Sequence, residues 1–316
     1  MNLFEIAWRV IAPIFLMMGT GWAVQKYFGM DIKSLTRLNF WIFVPALLFV
    51  KIVESKISAP DLLIIVLHFV LLFASMFVLS WYSARAIGAG QRLQRALTAS
   101  TLFYNSGNYG LPVAQLAFAA SPVALQFAVA VQAIVMMLQN VTNFSIGLAL
   151  HAGGREGTSR RETWTAMWKL PMIYTLIAAW IWRWVSGSTG WKLPLPLDQA
   201  LHFFADGLVP IALVTLGAQM ATIRSHRISA AMCLSLVLRL AVGPLLSFLF
   251  VWLLGIKGAL AQSLVVSSSF PTAINSALLA IEYDNEPEFA AAVVFYSTML
   301  SALTVSVVIY LAKVYL

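Results

Sequence analysis

Two short stretches of this chain hold most of the side chains able to bind a small polar molecule. Residues 105–112 are Asn105, Ser106, Gly107, Asn108, Tyr109, Gly110, Leu111 and Pro112; residues 267–275 are Ser267, Ser268, Ser269, Phe270, Pro271, Thr272, Ala273, Ile274 and Asn275. Both lie inside long apolar runs. Glycine loses most entropy on ordering, and proline removes an N–H donor and clashes with the carbonyl four residues back. A regular helix is therefore not expected to run through either stretch. Pro112 suits the first turn of a new helix. A helix start exposes unpaired N–H groups and about half a positive charge. Two such starts, at Pro112 and near Pro271, would cradle a carboxylate without any cationic side chain. Asn105, Asn108, Ser268, Ser269, Thr272 and Asn275 add neutral hydrogen-bonding groups. The competing reading is that the prolines only kink helices and the polar groups pack between them. Two interruptions at matching places favour a site, because non-helical backbone survives at membrane depth only when buried in protein or lining a wet cavity.

Other polar residues fall within apolar runs, where an ionisable group is a functional candidate by default. Arg239 sits mid-run and could draw an anion inward or pair with an acid such as Asp206. Asp206 precedes Gly207 and Pro210 and could gate or carry a proton, or face an aqueous vestibule. Gln132, Gln139 and Asn143, spaced by seven and four, share one helix face. They could flank the interruptions, hold a cation or bond neighbouring helices. Arg9 and Lys313, near helix ends, are expected to snorkel. The four histidines (His68, His151, His202, His226) are scattered, and Cys233 is the single cysteine. No HExxH, paired cysteine, phosphate-cradling loop or GxSxG is present. The expectation is no metal, no cofactor and no enzymatic reaction.

The elements that must position these residues follow from composition. Of 316 residues, 61% are hydrophobic and 10% charged, with a mean hydropathy of +0.86. A soluble domain carries about a quarter charged residues and a disordered chain has low hydrophobicity, so both classes are excluded. The net charge of +8 is scattered between apolar runs, which points to membrane topology and not to nucleic acid. A membrane-crossing helix needs about 20 apolar residues. About ten spans fit, at roughly 4–25, 38–53, 62–84, 96–120, 124–151, 170–186, 198–223, 228–255, 258–281 and 288–315. The first lacks a cationic leader and a cleavage signature, and is read as a retained helix. Tryptophans such as Trp8, Trp22, Trp81 and Trp252 fall near span ends, as interfacial anchors do. Lys and Arg concentrate in the odd-numbered loops (Lys26, Lys33, Arg37; Arg85, Arg92, Arg95; Arg155, Arg160, Arg161, Lys169; Arg224, Arg227). The even loops hold Lys51, Lys56, Arg183, Lys192 and Lys257. This places the odd loops in the cytoplasm and both termini on the other side.

The polar stretch 152–169 divides the chain into 1–151 and 170–316, and the halves echo one another. Pro13 precedes Trp22 by nine residues, as Pro171 precedes Trp180. Pro45 in span two is matched by Pro210 in span seven, both as kinks. Phe127, Ala130, Met137 and Thr142 align with Phe289, Ala292, Met299 and Thr304. Five spans per half is odd, so the halves enter the membrane from opposite sides, as secondary transporters do. The expected fold is an all-α integral membrane protein of ten helices, a five-plus-five inverted repeat with spans four and nine broken and crossing.

At this point the residues resemble the auxin efflux carrier family, which includes plant carriers and bacterial malonate-type permeases. The resemblance runs through Pro13-Ile14-Phe15, Gly19, Gly21, Leu38-Asn39, Pro45-Ala46-Leu47-Leu48-Phe49 and the stretch from Asn105 to Pro112. It continues in Gly207 to Leu213, Leu216-Gly217-Ala218, Pro271 to Asn275, Glu282-Tyr283, Pro287 and Ser297-Thr298. Val305-Ser306 departs from it, as many relatives carry a proline there. The short central loop suggests a bacterial form, in the inner membrane. The resemblance implies a bile-acid-symporter-like fold, with a scaffold of spans one, two, six and seven and a mobile unit of spans three to five and eight to ten. It implies homodimers, elevator-type alternating access and an organic anion as substrate, with Asn105 and Asn108 as binding amides and Pro112 and Pro271 at the crossing. A sodium-coupled symporter is the alternative. A membrane enzyme or sensor lacks a nucleophile, a metal set or an output domain.

Overall fold

The computed structural model describes residues 2–54, 57–152, 171–223 and 228–316. The connection expected at 152–169 lies outside these residues except for Ala152, as do Lys56, Arg224, His226 and Arg227. Among the described residues the chain is all helix, with one isolated antiparallel bridge between Tyr104 and Thr272.

Among the described residues, seven helices are long and apolar enough to cross a membrane. They are α1 (Leu3–Tyr27), α2 (Ile32–Glu54), α3 (Ala59–Ala86), α6 (Pro122–Ala152), α8 (Leu195–Thr222), α9 (Ala230–Leu253) and α12 (Pro287–Tyr315). Shorter helices occupy the other three expected spans. The region expected as span six holds α7 (Pro171–Thr189). The region 96–120 holds α4 (Gln91–Leu102) and α5 (Gly110–Ala117). The region 258–281 holds α10 (Gly258–Ser268) and α11 (Ile274–Glu282). Local chemistry sets the starts. Ser58 and Asp61 form a capping box ahead of α3, Ser121 caps α6 with Pro122 in its first turn, and Ser229 caps α9.

Large apolar side chains face outward, such as Trp184, Phe203 and Trp252, all about three-quarters exposed. Small polar ones are inside: Thr98, Ser100 and Thr101 on α4, and Ser267 and Ser268 on α10, are buried. This is the inside-out polarity of a protein whose surroundings are hydrocarbon. Helices α1, α2, α7 and α8 form one packed group, with α8 along α1 and α2 against α7 and α8. Gly21 faces the backbone of Val214, and Gly217 faces the backbone of Met18, so closely that a Cβ on either would overlap a carbonyl. Helices α3 to α6 and α9 to α12 form the other group: α3 packs on α4 and α9, α6 on α5 and α10, and α12 on α10 and α11.

Four helices contain one wide π turn each, at Ala7–Ile11, Asn39–Phe43, Asn143–Gly147 and Leu238–Val242. Pro13, Pro45 and Pro244 each follow such a turn by two residues. The carbonyl four residues before each proline lies inside the turn, and the extra residue moves it clear of the ring. Pro45 is accommodated this way, whereas Pro210 sits within α8 without such a turn. The turns also place three buried polar residues, Asn39, Asn143 and Arg239.

Lys313 differs from the snorkelling expected. It is half-buried, and its Nζ donates to the Ala117 carbonyl at 2.6 Å, at the last residue of α5. A cation at a helix C-terminus satisfies an orphan carbonyl and opposes the negative dipole end. Lys313→Met is expected to destabilise the protein by about 1 kcal/mol, read as a lower thermal unfolding midpoint in detergent. An unchanged midpoint would show that the carbonyl finds another donor.

Candidate functional site

The chain leaves helical geometry after Leu102 and after Ser268, and the two linkers that follow lie side by side. The Asn105 N–H donates to the Pro271 carbonyl at 2.8 Å, and the Ala273 N–H donates to the Phe103 carbonyl at 2.8 Å. Thr272 is held from two further sides. Its N–H donates to Ser297 Oγ at 3.1 Å, and its Oγ1 donates to the Ser100 carbonyl at 2.8 Å. These bonds keep Thr272 and Ala273 extended, so α11 begins at Ile274 and Pro271 remains in the linker.

Behind the pairing, the Phe270 ring lies edge-on to Tyr109, with centroids 5.9 Å apart, and tilted to Tyr104 at 6.5 Å. It fills the space beside Gly110. The Tyr109 hydroxyl lies 2.9 Å from Ser301 Oγ. Gln132 Nε2 donates to the Ser106 carbonyl at 2.8 Å and fixes the first linker from α6. Pro112 is buried in the first turn of α5, where the missing N–H costs nothing.

A cavity of about 80 Å³ opens in front of the linkers. Asn105, Ser106, Gly107 and Asn108 line it from one linker, and Ala273, Ile274 and Asn275 from the end of the other and the start of α11. Gln139, Asn140 and Asn143 reach it from α6. Thr36, Asn39, Phe40 and Val44 reach it from α2, and Gln219 from α8. Eight of the lining side chains are carboxamides and none is charged. Asn39 Nδ2 donates to Asn108 Oδ1 at 2.7 Å, across the boundary between the two helix groups. Asn39 Oδ1, Asn105 Nδ2, Gln139 Oε1, Asn143 Oδ1 and Gln219 Oε1 are buried without a hydrogen-bond partner. Buried polar atoms are nearly always paired, so five on one small cavity leave bonding capacity there for water or a polar ligand. The first N–H groups of α11, on Ile274 and Asn275, have no intrahelical acceptor by position.

Thus Asn105, Ser106, Gly107, Asn108, Asn275, Gln139 and Asn143 meet at one cavity. Tyr109, Gly110, Pro112, Pro271, Thr272 and Gln132 instead build the paired linkers that shape it. The Ser268 and Ser269 hydroxyls turn back onto the Val265 and Val266 carbonyls at 2.6 Å each and do not reach it. Arg239 forms no ion pair with Asp206. Its guanidinium is buried against backbone carbonyls, and Asp206 is exposed on α8. Asn39, Thr36 and Gln219 were not singled out from the sequence as site residues. The available signal was an isolated amide or hydroxyl in an otherwise apolar helix. Among the described residues no group of His, Cys, Asp and Glu could hold a metal ion.

Three similarities bear on this arrangement. An "Uncharacterized transporter" of Methanothermobacter thermautotrophicus is 26% identical over 281 residues, 86% of each chain. A "Putative malonate transporter" of Rhizobium meliloti is 26% identical over 325 residues, 96% of this chain and 95% of its own. "Auxin efflux carrier component 8" of Arabidopsis thaliana is 25% identical over 143 residues, 44% of this chain and 39% of its own. The model of the membrane transport protein family matches residues 7–165 and 158–309, nearly the whole length. A chain of apolar helices built around a polar cavity, with that match along it, is an integral membrane transporter and belongs to the membrane transport protein family, that of the auxin efflux carriers.

Proposed function

We propose that this protein is a secondary carrier of a small organic anion, bound in the amide-lined cavity where the two linkers cross. The observation that carries this reading is the set of five unpartnered buried amide atoms on a cavity faced by the start of α11. Neutral amides and helix N-termini bind a carboxylate while letting it leave again, as a carrier must. The name of the Rhizobium meliloti relative supports a carboxylate. In this reading α4 with α5 and α10 with α11 are the two broken, crossing spans of a ten-span, five-plus-five inverted repeat. The recurrence of three long or medium helices, a broken pair and a long helix in each half supports it. The group of α1, α2, α7 and α8 acts as a scaffold, and the other group as the unit that moves in an elevator-type cycle. The protein works as a homodimer in a bacterial inner membrane, with both termini outside the cytoplasm.

The test is transport of labelled carboxylates in proteoliposomes. Asn105→Ala removes a buried donor, and Asn108→Ala strands the Asn39 amide. A buried polar group left unpaired costs about 1–3 kcal/mol, so each variant is expected to slow transport about tenfold or more. Wild-type rates in both would show that the cargo binds elsewhere.

One observation favours sodium coupling as a second reading. Four of the unpartnered atoms (Asn39 Oδ1, Gln139 Oε1, Asn143 Oδ1, Gln219 Oε1) are carbonyl oxygens, the ligand type of hard cations. Transport that proceeds equally in sodium-free medium at fixed potential removes that reading.

A further inference from the structure

Arg239 lines no part of the amide cavity, yet it is the one Lys, Arg, Asp or Glu that is buried among the described residues, at 1% exposure. Its Nη1 donates to the Thr101 carbonyl at 3.1 Å, and its Nη2 donates to the Ser268 carbonyl. Those carbonyls belong to the last turns of α4 and α10. One guanidinium thus ties together the ends of the two helices that enter the crossing. Its Cζ lies 4.6 Å from the centre of the Tyr104 ring. A second cavity of about 10 Å³ is lined by Arg239, Tyr104 and Gln139, and the last two also line the amide cavity. A single layer of side chains therefore separates the guanidinium from the cargo.

The charges at the crossing can be summed. The C-terminal ends of α4 and α10 contribute about half a negative charge each, and the starts of α5 and α11 about half a positive charge each. These four cancel. Arg239 has no acidic partner among the described residues, so one positive charge remains. The other buried titratable side chains among the described residues supply no carboxylate: His68 lies 2.9 Å from Ser247, His151 3.4 Å from Ser276 and Tyr109 2.9 Å from Ser301, and Tyr104 lies under the guanidinium.

We propose that Arg239 is the fixed countercharge of the cargo, so that the site takes a monovalent organic anion and the buried region where the linkers pair carries no net charge once loaded. This rests on the carrier reading above, with Arg239 on the moving group. A unit whose dry interior holds one uncompensated positive charge feels the membrane potential through that charge, and the same interior holding a monoanion does not. A dianion leaves the loaded unit negative and uncompensated in a dry interior, and binds more weakly.

The test uses malonate, a dianion at neutral pH, and its half-amide malonamate, a monoanion of nearly the same shape. Purified wild-type protein is expected to bind malonamate at least about tenfold more tightly than malonate, read by thermal stabilisation against concentration. In proteoliposomes, malonamate–malonamate exchange is expected to ignore a potential imposed with potassium and valinomycin, while net malonamate uptake follows it. Arg239→Gln should make exchange potential-sensitive, and Arg239→Lys, which keeps the charge, should not. Tighter binding of malonate, or malonamate exchange that follows the potential as net uptake does, overturns the inference and leaves the carrier reading standing. If neither compound binds or moves and no other carboxylate does, the carrier reading falls and takes the inference with it. Should Arg239→Gln fail to fold, the wild-type comparison of the two compounds decides.

Discussion

Gly217→Ala lowers the stability of this protein by about 3 kcal/mol or more, beyond the usual cost of overpacking, because the added Cβ meets backbone and not a side chain that can swing away. The Met18 carbonyl lies where that Cβ would sit, and the Val214 carbonyl stands in the same relation to Gly21. The two contacts are reciprocal, so α1 and α8 must separate along their length to admit either change. The expected reading is a thermal midpoint in detergent lower by about 6 °C or more. Gly19→Ala is the internal control. Nothing lies within 4 Å of its Cβ position, and alanine is favoured over glycine in a helix by about 1 kcal/mol. That variant should be as stable as wild type or more so. Equal midpoints for the two variants would mean that the helices do not approach so closely.

The second large effect is expected at Gly110, and there transport is lost before the fold. A Cβ at Gly110 would lie 2.6 Å from a Phe270 ring carbon and 2.7 Å from Gln132 Nε2. Neither neighbour can retreat freely. Phe270 is wedged between Tyr104 and Tyr109, and the Gln132 amide is bonded to the Ser106 carbonyl. Gly110→Ala should therefore displace the first linker at a cost of about 1–3 kcal/mol and, in the carrier reading, reduce transport of the cargo to a small fraction of wild type. A smaller residue opposite should compensate. Phe270→Leu in the same chain is expected to recover part of the rate, with a coupling of about 1 kcal/mol or more between the two positions. Normal transport by Gly110→Ala alone, or no recovery in the double variant, would show that this contact does not shape the site.

How much of this was legible in the sequence depends on the range of the forces involved. Helix existence is local: long apolar runs bounded by Ser58, Ser121 and Ser229 announce α3, α6 and α9, and hydropathy places them well. The interruptions are also local, because Gly107, Gly110, Pro112 and Pro271 oppose helix wherever they stand. Asn105, Asn108 and Asn275 could be proposed for the cavity since they sit in those interruptions. Asn39 and Gln219 could not, because they reach it only through the packing of α2 and α8 on the second group. The partners of Arg239 were equally hidden. Two carbonyls, 138 and 29 residues away, take the place of the acid that sequence reasoning offered. The exact start of α11 was missed for the same reason, as Ser100 and Ser297 hold Thr272 extended. The prolines signalled irregular helices, but not that a widened turn would absorb three of them.

The pairing of the linkers bears on how a cargo could be released. Two backbone bonds and one shared guanidinium weld the crossing into a single stiff piece. Peeling one linker away while the other stays in place would strand the Phe103 and Pro271 carbonyls in a dry interior, at about 1–3 kcal/mol apiece. In the proposed carrier reading, the cheaper path keeps the weld whole and shears the wall facing it, where the polar contacts are weak ones, the Asn39–Asn108 amide bond at 2.7 Å and the Asn140 Nδ2–Met172 Sδ contact at 3.5 Å. In the carrier reading proposed above, exit to either side of the membrane would then pass through the same slip plane.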